Sequence, residues 1–228
     1  MKRTIFLMIS LILLATDVGY IYADQCLNGD CDNGKGTYRF SDGASYTGFF
    51  KKGLFQGKGK LVFKDGSYYV GDFSKNQKHG QGKMIFKDGQ KYFGHFFKDK
   101  IHGQGDMTFT DGSRYIGQFK LGARDGKGEL IYANGDKYRG FLKNNQLNGK
   151  GTFSFKNGNV YTGMFRNDQF NGKGIFSYKN GNVYTGMFRN DQYNGKGIFV
   201  EAKGLRYNGN YKEGNFHGYG ELKKKDGE

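Results

Sequence analysis

The chain has 228 residues, of which 40 are glycine, 17% are aromatic and none is proline or tryptophan. Disordered chains are poor in aromatic residues, so this composition excludes a disordered protein and favours many short strands joined by glycine turns. The formal net charge of +15 favours anionic partners such as phospholipid headgroups, acidic polymers or acidic proteins. Lysines also keep sheet edges soluble, so the charge alone does not identify a partner.

The first 23 residues have the pattern of an export signal. Lys2 and Arg3 precede an apolar run from Ile5 to Ala15. The run is shorter than the about 20 apolar residues that a spanning helix needs, and the small residue Ala23 suits a cleavage site. We therefore predict a signal peptide over residues 1–23 and an exported protein, in the periplasm, at the cell surface or secreted. An uncleaved membrane anchor is the alternative.

Residues 24–45 are predicted to form an N-terminal cap. The only two cysteines, Cys26 and Cys31, lie here, and we predict a disulfide between them because exported chains can keep disulfides. Lipid attachment at Cys26 is the alternative, although Gln25 is a poor match to the small residue that precedes a lipidated cysteine. Residues 34–43 match the second half of the repeat unit that fills the rest of the chain.

A repeat of 23 residues runs without a gap from residue 46 to residue 228, in eight units. A glycine follows two residues after the tyrosine that opens each unit, and a Gly-x-Gly pair begins eleven residues after it. A fixed period in this range indicates a tandem-repeat architecture. Units six and seven are near copies, because residues 157–176 and 180–199 differ only at Phe170 and Tyr193. The opening tyrosines, predicted to form the repeat core, are Tyr46, Tyr69, Tyr92, Tyr115, Tyr138, Tyr161, Tyr184 and Tyr207.

Each unit is predicted to form one β-hairpin. In residues 46–50 the repeated tyrosine, glycine and phenylalanine alternate, so they share one face of a strand. The Asp65–Gly66 pair and its equivalents predict a three- or five-residue hairpin loop with glycine at positive φ. The segment from Lys51 to Gln56 is predicted to be a longer, looser loop that folds back, so that Phe55 covers the aromatic face.

The repeated pattern resembles the membrane-occupation-and-recognition-nexus repeat, or MORN repeat. In the second unit the pattern reads Tyr69-Val70-Gly71-Asp72-Phe73, then Gly80-Gln81-Gly82, Phe86 and Asp88-Gly89. The segment from Cys26 to Gly36 is also similar to the start of exported bacterial members. The resemblance implies an all-β fold, an elongated, twisted, single-layer antiparallel sheet of tandem hairpins. It also implies binding of acidic phospholipids, protein–protein scaffolding or self-association.

The sequence gives no indication of catalysis. We predict that the protein is not an enzyme and uses no cofactor, metal or small-molecule substrate, and export disfavours nucleic acid as a partner. Acidic residues form no consistent close pair, and Ser, Cys and His converge on no nucleophile site. His79, His102 and His217 share one repeat position, but successive hairpins lie about 9–10 Å apart, too far to share a metal ion.

Two sets of basic residues recur at fixed repeat positions and are candidates for binding an anionic ligand. One set lies five residues after the tyrosine, and the other lies twelve residues after it. Stacking of the units would align each set into a row of positive charge, which attracts an anionic surface by about 1 kcal/mol per residue. The candidates are Lys120, Lys143, Arg166 and Arg189 in the first set and Lys127, Lys150, Lys173 and Lys196 in the second.

The second face of the predicted sheet is partly apolar, which is typical of a surface for a protein partner or a second copy. Repeat number, rather than any unique residue, carries most of the information in the sequence. We therefore predict a non-catalytic scaffold for protein–protein interaction or self-association in the cell envelope. Electrostatic binding of anionic phospholipid or an envelope polymer through the basic rows is the alternative. The candidate interface residues are Val62, Ile85, Ile131, Ile175 and Ile198.

Overall fold

The structure, a computed structural model, describes residues 24–224, so the predicted signal peptide lies outside the described residues. The described chain forms one open 18-stranded sheet in which each strand pairs antiparallel with the next strand along the chain. The all-β sheet of tandem hairpins predicted from the sequence is therefore confirmed. Residues 24–224 contain no helix long and apolar enough to span a membrane.

The strands alternate between seven and nine residues within each repeat, after two shorter strands in the cap. They are β1 Gln25–Gly29, β2 Lys35–Arg39, β3 Ser45–Lys51, β4 Leu54–Val62, β5 Tyr68–Ser74, β6 Gln77–Ile85, β7 Lys91–Phe97, β8 Lys100–Thr108, β9 Arg114–Lys120, β10 Ala123–Ile131, β11 Lys137–Lys143, β12 Gln146–Ser154, β13 Val160–Arg166, β14 Gln169–Ser177, β15 Val183–Arg189, β16 Gln192–Val200, β17 Arg206–Lys212 and β18 Asn215–Lys223.

The sheet has one buried face and one accessible face, which we call the core face and the open face. In β13, Tyr161 and Phe165 are buried, whereas Thr162 and Met164, which alternate with them, are exposed. This alternation follows from the two-residue period of a strand. The same pattern places the repeated tyrosine, glycine and second aromatic of every unit on the core face.

The two kinds of turn differ from each other more than the sequence indicated. The Asp65–Gly66 loop spans residues 63–67, with Gly66 at a φ of 85°, so the five-residue loop and the positive φ are confirmed. The predicted long loop between Lys51 and Gln56 is wrong. Only Lys52 and Gly53 separate β3 from β4, and both have positive φ, as the tight turns of twisted hairpins require.

The aromatic residue assigned to that loop lies instead in a strand. Phe55 is opposite Phe50 in the ladder of β3 and β4. Its ring stacks on Tyr46 with 3.7 Å between the centroids. Phe55 therefore does cover the aromatic face, but from a strand rather than from a loop. The predicted loop length is wrong because a lysine at position 52 does not indicate a left-handed conformation.

The core consists of aromatic rings that pack against one another along the core face. Tyr161 packs edge to face on Phe165 of its own repeat and on Phe188 of the next, with centroids 5.2 and 4.9 Å apart. Phe170 stacks on Tyr161 at 3.8 Å. Each such aromatic pair contributes about 0.5–1.5 kcal/mol beyond the burial of its area. A single-layer sheet thus obtains a core because the rings of adjacent repeats cover one another.

Seven of the eight repeat tyrosines are the most completely buried large side chains of the described residues. Their exposed fractions are 0% for Tyr46, Tyr69, Tyr115, Tyr138, Tyr161 and Tyr184, 1% for Tyr92 and 9% for Tyr207.

Adjacent repeats are joined by a hydrogen-bonded clamp at the tight turns. Asp168, in the turn after β13, accepts a hydrogen bond from the Leu147 backbone N–H at 2.7 Å and donates its own N–H to the Leu147 carbonyl oxygen at 3.1 Å. Asp191 makes the same pair of hydrogen bonds with Phe170. At Gly122 only the backbone hydrogen bond, to Ile101, remains. The clamp fixes the register between one hairpin and the next.

The two ends of the described sheet differ. At the first end, Cys26 in β1 and Cys31 form a disulfide with Sγ atoms 2.06 Å apart, and Gly53 donates its N–H to the Asp32 carbonyl oxygen. At the other end, every residue of β18 is exposed, and Tyr219 is 95% exposed. The disulfide therefore fastens the segment that precedes the first full hairpin.

Candidate binding face

Two glycines of each repeat lie beneath the tyrosine ring. Gly163 and Gly174 are cross-strand partners. A Cβ atom on Gly163 would lie 2.4 Å from the Tyr161 hydroxyl oxygen, and one on Gly174 would lie 2.6 Å from it, closer than real Cβ atoms approach their neighbours. Only glycine fits at these positions, which explains the Tyr-x-Gly and Gly-x-Gly pattern.

These glycines continue from strand to strand across the whole sheet and form what we call the glycine belt. The belt comprises Gly48, Gly59, Gly71, Gly82, Gly94, Gly105, Gly117, Gly128, Gly140, Gly151, Gly163, Gly174, Gly186, Gly197, Gly209 and Gly220.

The tyrosine hydroxyl group holds the backbone of the residue whose side chain lies on the open face. Tyr161 donates its hydroxyl proton to the Met164 carbonyl oxygen at 2.8 Å, and Tyr184 donates to Met187 at 2.9 Å. Burial raises the pKa of Tyr161 to about 12, and the hydrogen bond to Met164 opposes this rise. The phenol is therefore a neutral donor near pH 7. The core face in this way positions the side chain of Met164 on the opposite face.

A groove runs along the open face above the glycine belt. Its two walls are the side chains that stand one and three residues after each tyrosine, together with their cross-strand partners. In repeats six and seven the groove measures ≈ 500 Å³ and is lined by Thr162, Ile175 and Thr185 on one wall and by Lys173, Met187 and Lys196 on the other. Equivalent stretches of ≈ 740 and ≈ 360 Å³ lie over repeats one and two and over repeats four and five.

All eight basic candidates are exposed on the open face. Lys127, Lys150, Lys173 and Lys196 lie in the groove itself. Lys120, Lys143, Arg166 and Arg189 lie at the strand ends beside the tight turns. Arg166 and Arg189 there line a more polar hollow of ≈ 490 Å³, which they share with asparagine and glutamine side chains. Lys127, Lys150, Lys173 and Lys196 are therefore the set that lines the groove between its two walls.

The five interface candidates also lie on the open face, but they do not form one patch. Val62, Ile85 and Ile131 are half-buried at the strand ends near the five-residue loops. Ile175 is 44% exposed and Ile198 is half-buried, and both are cross-strand partners of a threonine, Thr185. Only the Ile175 and Ile198 stretch belongs to the groove wall.

The sequence analysis missed five exposed apolar side chains of the groove. They stand one or three residues after the tyrosine, on the first strand of the hairpin, whereas all five interface candidates lie on the second strand. The alternation of residues 46–50 contained the signal, since residues between core positions must face outward. The missed residues, with their exposed fractions, are Phe49 (50%), Val70 (43%), Phe93 (62%), Ile116 (40%) and Phe141 (42%).

The charges of the groove change along its length. Lys58 forms an ion pair with Asp72 at 2.8 Å, so its charge is neutralised within the first repeats. Gln81 and Gln104 occupy the equivalent position in the next two repeats. From Lys127 onward that position is lysine in four successive repeats, and the ammonium of Lys127 lies 5.3 Å from the centroid of the Phe141 ring. From repeat four to repeat seven this one position therefore supplies one lysine per repeat.

The described residues contain no group of three or more His, Cys, Asp or Glu side chains that could hold a metal ion. His79 and His102 instead lie beside the Phe97 ring, at 5.4 and 5.8 Å between centroids. In residues 24–224 the arrangement that stands out is therefore the groove, which offers hydrogen-bonding, apolar and cationic contacts to a long ligand.

A single-layer sheet of hairpins with an aromatic core on one face and a groove on the other defines a tandem-repeat protein. The model of the MORN repeat matches the chain nine times, so the chain belongs to the MORN repeat family. MORN repeats are typically interaction scaffolds. The matched residues are 33–45, 46–68, 69–91, 92–114, 115–137, 138–160, 161–183, 184–206 and 207–228.

The chain is also similar to solved structures of TCP and TCP10 domains. The wild-type TCP10 domain of Danio rerio CPAP has 12% identity and a TM-score of 0.47, covering 91% of this chain and 94% of that chain. The TCP domain of SAS-4 (dCPAP) of Drosophila melanogaster, in complex with a proline-rich motif of Ana2 (dSTIL), has 11% identity and a TM-score of 0.45, covering 83% and 99%. Neither similarity identifies what this chain binds. The search of curated proteins found no match.

Proposed function

We propose that the protein is a non-catalytic scaffold of the cell envelope that binds a protein partner, or a second copy of itself, through the groove of the open face. The observation that carries this proposal is the convergence of exposed apolar and basic side chains in one groove. Exposed apolar patches on a soluble surface mark interaction sites. Aromatic and methionine side chains, here Phe141, Met164 and Met187, are enriched in protein interfaces.

Electrostatic binding of an anionic phospholipid or an envelope polymer is the second candidate. It is favoured by the exposure of all eight basic candidates, which face the same side of the sheet. The two candidates differ in their response to salt, because exposed charges are screened over about 8 Å at physiological ionic strength. Binding through apolar side chains persists as salt rises, whereas electrostatic binding weakens steeply.

The test compares two variants with the wild type in two binding assays. The first variant carries Ile175→Asp and Ile198→Asp, a change that the fold tolerates because Asp106 and Glu129 occupy the same position in other repeats. The second variant replaces Lys127, Lys150, Lys173 and Lys196 with glutamine, the residue that Gln81 and Gln104 provide at that position. Thermal unfolding of both variants should match that of the wild type.

The assays are affinity capture from an envelope extract and co-sedimentation with anionic vesicles, each at low and high salt. We expect a defined captured protein, or self-association in sedimentation velocity, that survives high salt and is lost with the two aspartates. Tight vesicle binding that disappears at high salt and with the glutamine variant, without any protein capture, would overturn the preference for a protein partner.

We also propose that the chain is an exported bacterial type of MORN protein, with a signal peptide over residues 1–23 and a cap over residues 24–45. The bonded pair Cys26 and Cys31 supports this proposal, since disulfides persist in oxidising compartments. Cell fractionation and the intact mass of the mature protein provide the test. We expect a mature chain that begins near Asp24 and contains no free thiol. A retained leader, two free thiols or a diacylglyceryl group on Cys26 would contradict it.

A further inference from the structure

The lysines of the groove in repeats four to seven have a strict spacing. Lys127, Lys150, Lys173 and Lys196 occupy one position in four successive repeats, and each is exposed. Within residues 24–224 none of the four forms an ion pair, in contrast to Lys58, which pairs with Asp72. The four ammonium groups are thus available to an external anion at equal intervals.

The ladder registers show that the interval is the same from repeat to repeat. Lys150 is opposite Met164 and Lys173 is opposite Met187, in the same register. One repeat comprises two strands, so successive lysines lie about 9.6 Å apart across the sheet. Three residues of a polyproline II segment span about 9.3 Å, at 3.1 Å per residue. A ligand with an acidic side chain at every third residue would therefore match the lysines.

The width of the groove favours an extended ligand over a helix. The two walls are formed by residues two positions apart on one strand, such as Thr162 and Met164, with Gly163 between them. Two residues of a strand span only about 6.7 Å, whereas an α-helix with its side chains is about 10–12 Å wide. Gly163 faces the Tyr161 ring on the core face, so the floor between the walls is backbone alone and an extended ligand can approach it.

We propose, building on the proposed function, that repeats four to seven bind an extended acidic protein segment with Asp or Glu at every third position, which runs across the strands along the groove. The carboxylates meet Lys127, Lys150, Lys173 and Lys196 in turn. The residues between them contact the apolar walls, where Phe141, Met187 and Ile175 are exposed. From Lys127 to Lys196 the row of lysines spans three repeats, and nine residues of the ligand span a length that differs from it by only about 1 Å. The carboxylates and the lysines therefore stay in phase along the whole row.

Fluorescence anisotropy of the mature, disulfide-bonded chain with two labelled peptides tests this proposal. The first peptide contains about five Glu-Pro-Ala units, and the second has the same composition with its glutamates gathered at one end. Four exposed ion pairs made in phase should favour the first peptide over the second by about tenfold in affinity. Lys150→Gln with Lys173→Gln should weaken the first peptide by about three- to tenfold.

A matched control distinguishes a specific register from diffuse attraction. Lys58 has the same repeat position but is paired with Asp72, so Lys58→Gln should leave the affinity for the first peptide unchanged. Equal affinity for the two peptides, or an equal loss with Lys58→Gln, would overturn the three-residue register. Tighter binding to an idealised acidic helix, or to anionic vesicles with the same lysine dependence, would overturn the extended protein ligand.

The outcome separates this inference from the function on which it rests. One outcome is that the captured partner is lost with Ile175→Asp and Ile198→Asp while the two peptides bind with equal affinity. The protein-binding function then stands, but the proposed spacing of acidic residues at every third position is wrong. If vesicles bind and no protein is captured, the proposed function itself fails.

Discussion

The two faces of the sheet differ in how they vary along the repeats. On the core face the same tyrosine and the same two glycines recur in all eight repeats. On the open face the residue three positions after the tyrosine changes almost every time. This difference shows that the same residue is required at positions where aromatic rings pack against the next repeat. Different residues are tolerated at positions that are exposed to solvent or to a partner. The open-face residues in question are Phe49, Asp72, His95, Gln118, Phe141, Met164, Met187 and Asn210.

The largest effect on stability is expected from alkaline pH, which acts on the core face through its buried tyrosines. Burial raises the pKa of Tyr46, Tyr115, Tyr161 and Tyr184 from 10.0 to about 12. The unfolded chain ionises these phenols first, so the stability they provide is complete below pH 10 and is lost as the pH rises through about 12. We expect cooperative unfolding in this window, followed by circular dichroism and phenolate absorbance. Unfolding that is complete below about pH 9 would contradict a tyrosine origin.

A pair of neighbouring substitutions compares the two faces directly. Gly174→Ala places a Cβ atom against the Tyr161 ring and should lower the free energy of unfolding by about 1–3 kcal/mol, because the packed rings cannot move away. Lys173→Ala, one residue earlier and on the open face, should change it by at most about 0.5 kcal/mol. Urea unfolding of both variants provides the measurement. Equal changes in the free energy of unfolding for the two variants would contradict the claim that the core face is less tolerant of substitution than the open face.

Much of this contrast could be predicted from the sequence. The period of 23 residues and the alternation of Tyr161 and Gly163 with outward residues predicted the hairpins and the core. Lys173 and Ile175 were assigned to separate candidate sites because their chemistry differs. They flank Gly174, and the two-residue period of a strand alone places both on the open face. The groove could not be predicted, since it depends on which strands pair and on the register between them.

The tight turns show where sequence reasoning fails for a physical reason. Lysine, leucine and glutamate occupy positive φ at Lys52, Leu121 and Glu213, although such residues rarely adopt that conformation. Pairing on both sides of the turn imposes it. A local sequence signal cannot report a conformation that the neighbouring hairpin enforces.

A smaller effect is expected at the clamp between repeats. Asp168→Gly keeps a residue that tolerates the φ of 68° but removes the acceptor for the Leu147 N–H. We expect a loss of about 0.5–1 kcal/mol in the free energy of unfolding. Asp168→Asn should be nearly neutral, because Asn145 makes the equivalent hydrogen bond to Arg124. Urea unfolding of the two variants decides this, and a loss with asparagine as large as with glycine would show that the side-chain hydrogen bond contributes nothing.

A comparably small effect is expected from a difference between repeats within the core face. Repeat seven places Tyr193 beside Tyr178, with their hydroxyl groups hydrogen-bonded, where repeat six has Phe170 beside Phe155. Tyr193→Phe leaves the half-buried hydroxyl of Tyr178 without this partner and should cost about 1 kcal/mol or less.

The double variant Tyr178→Phe with Tyr193→Phe recreates the phenylalanine pair of repeat six. It should recover most of the lost stability, because replacing both partners of a hydrogen bond by apolar groups of the same shape is nearly neutral. A double-mutant cycle measured by urea unfolding gives the coupling energy between Tyr178 and Tyr193, for which we expect about 0.5–1 kcal/mol. A coupling energy near zero would mean that the core face accepts single changes as readily as the open face does. A positive coupling energy would mean that substituting one of two contacting core residues in neighbouring repeats is tolerated better when the other is substituted as well.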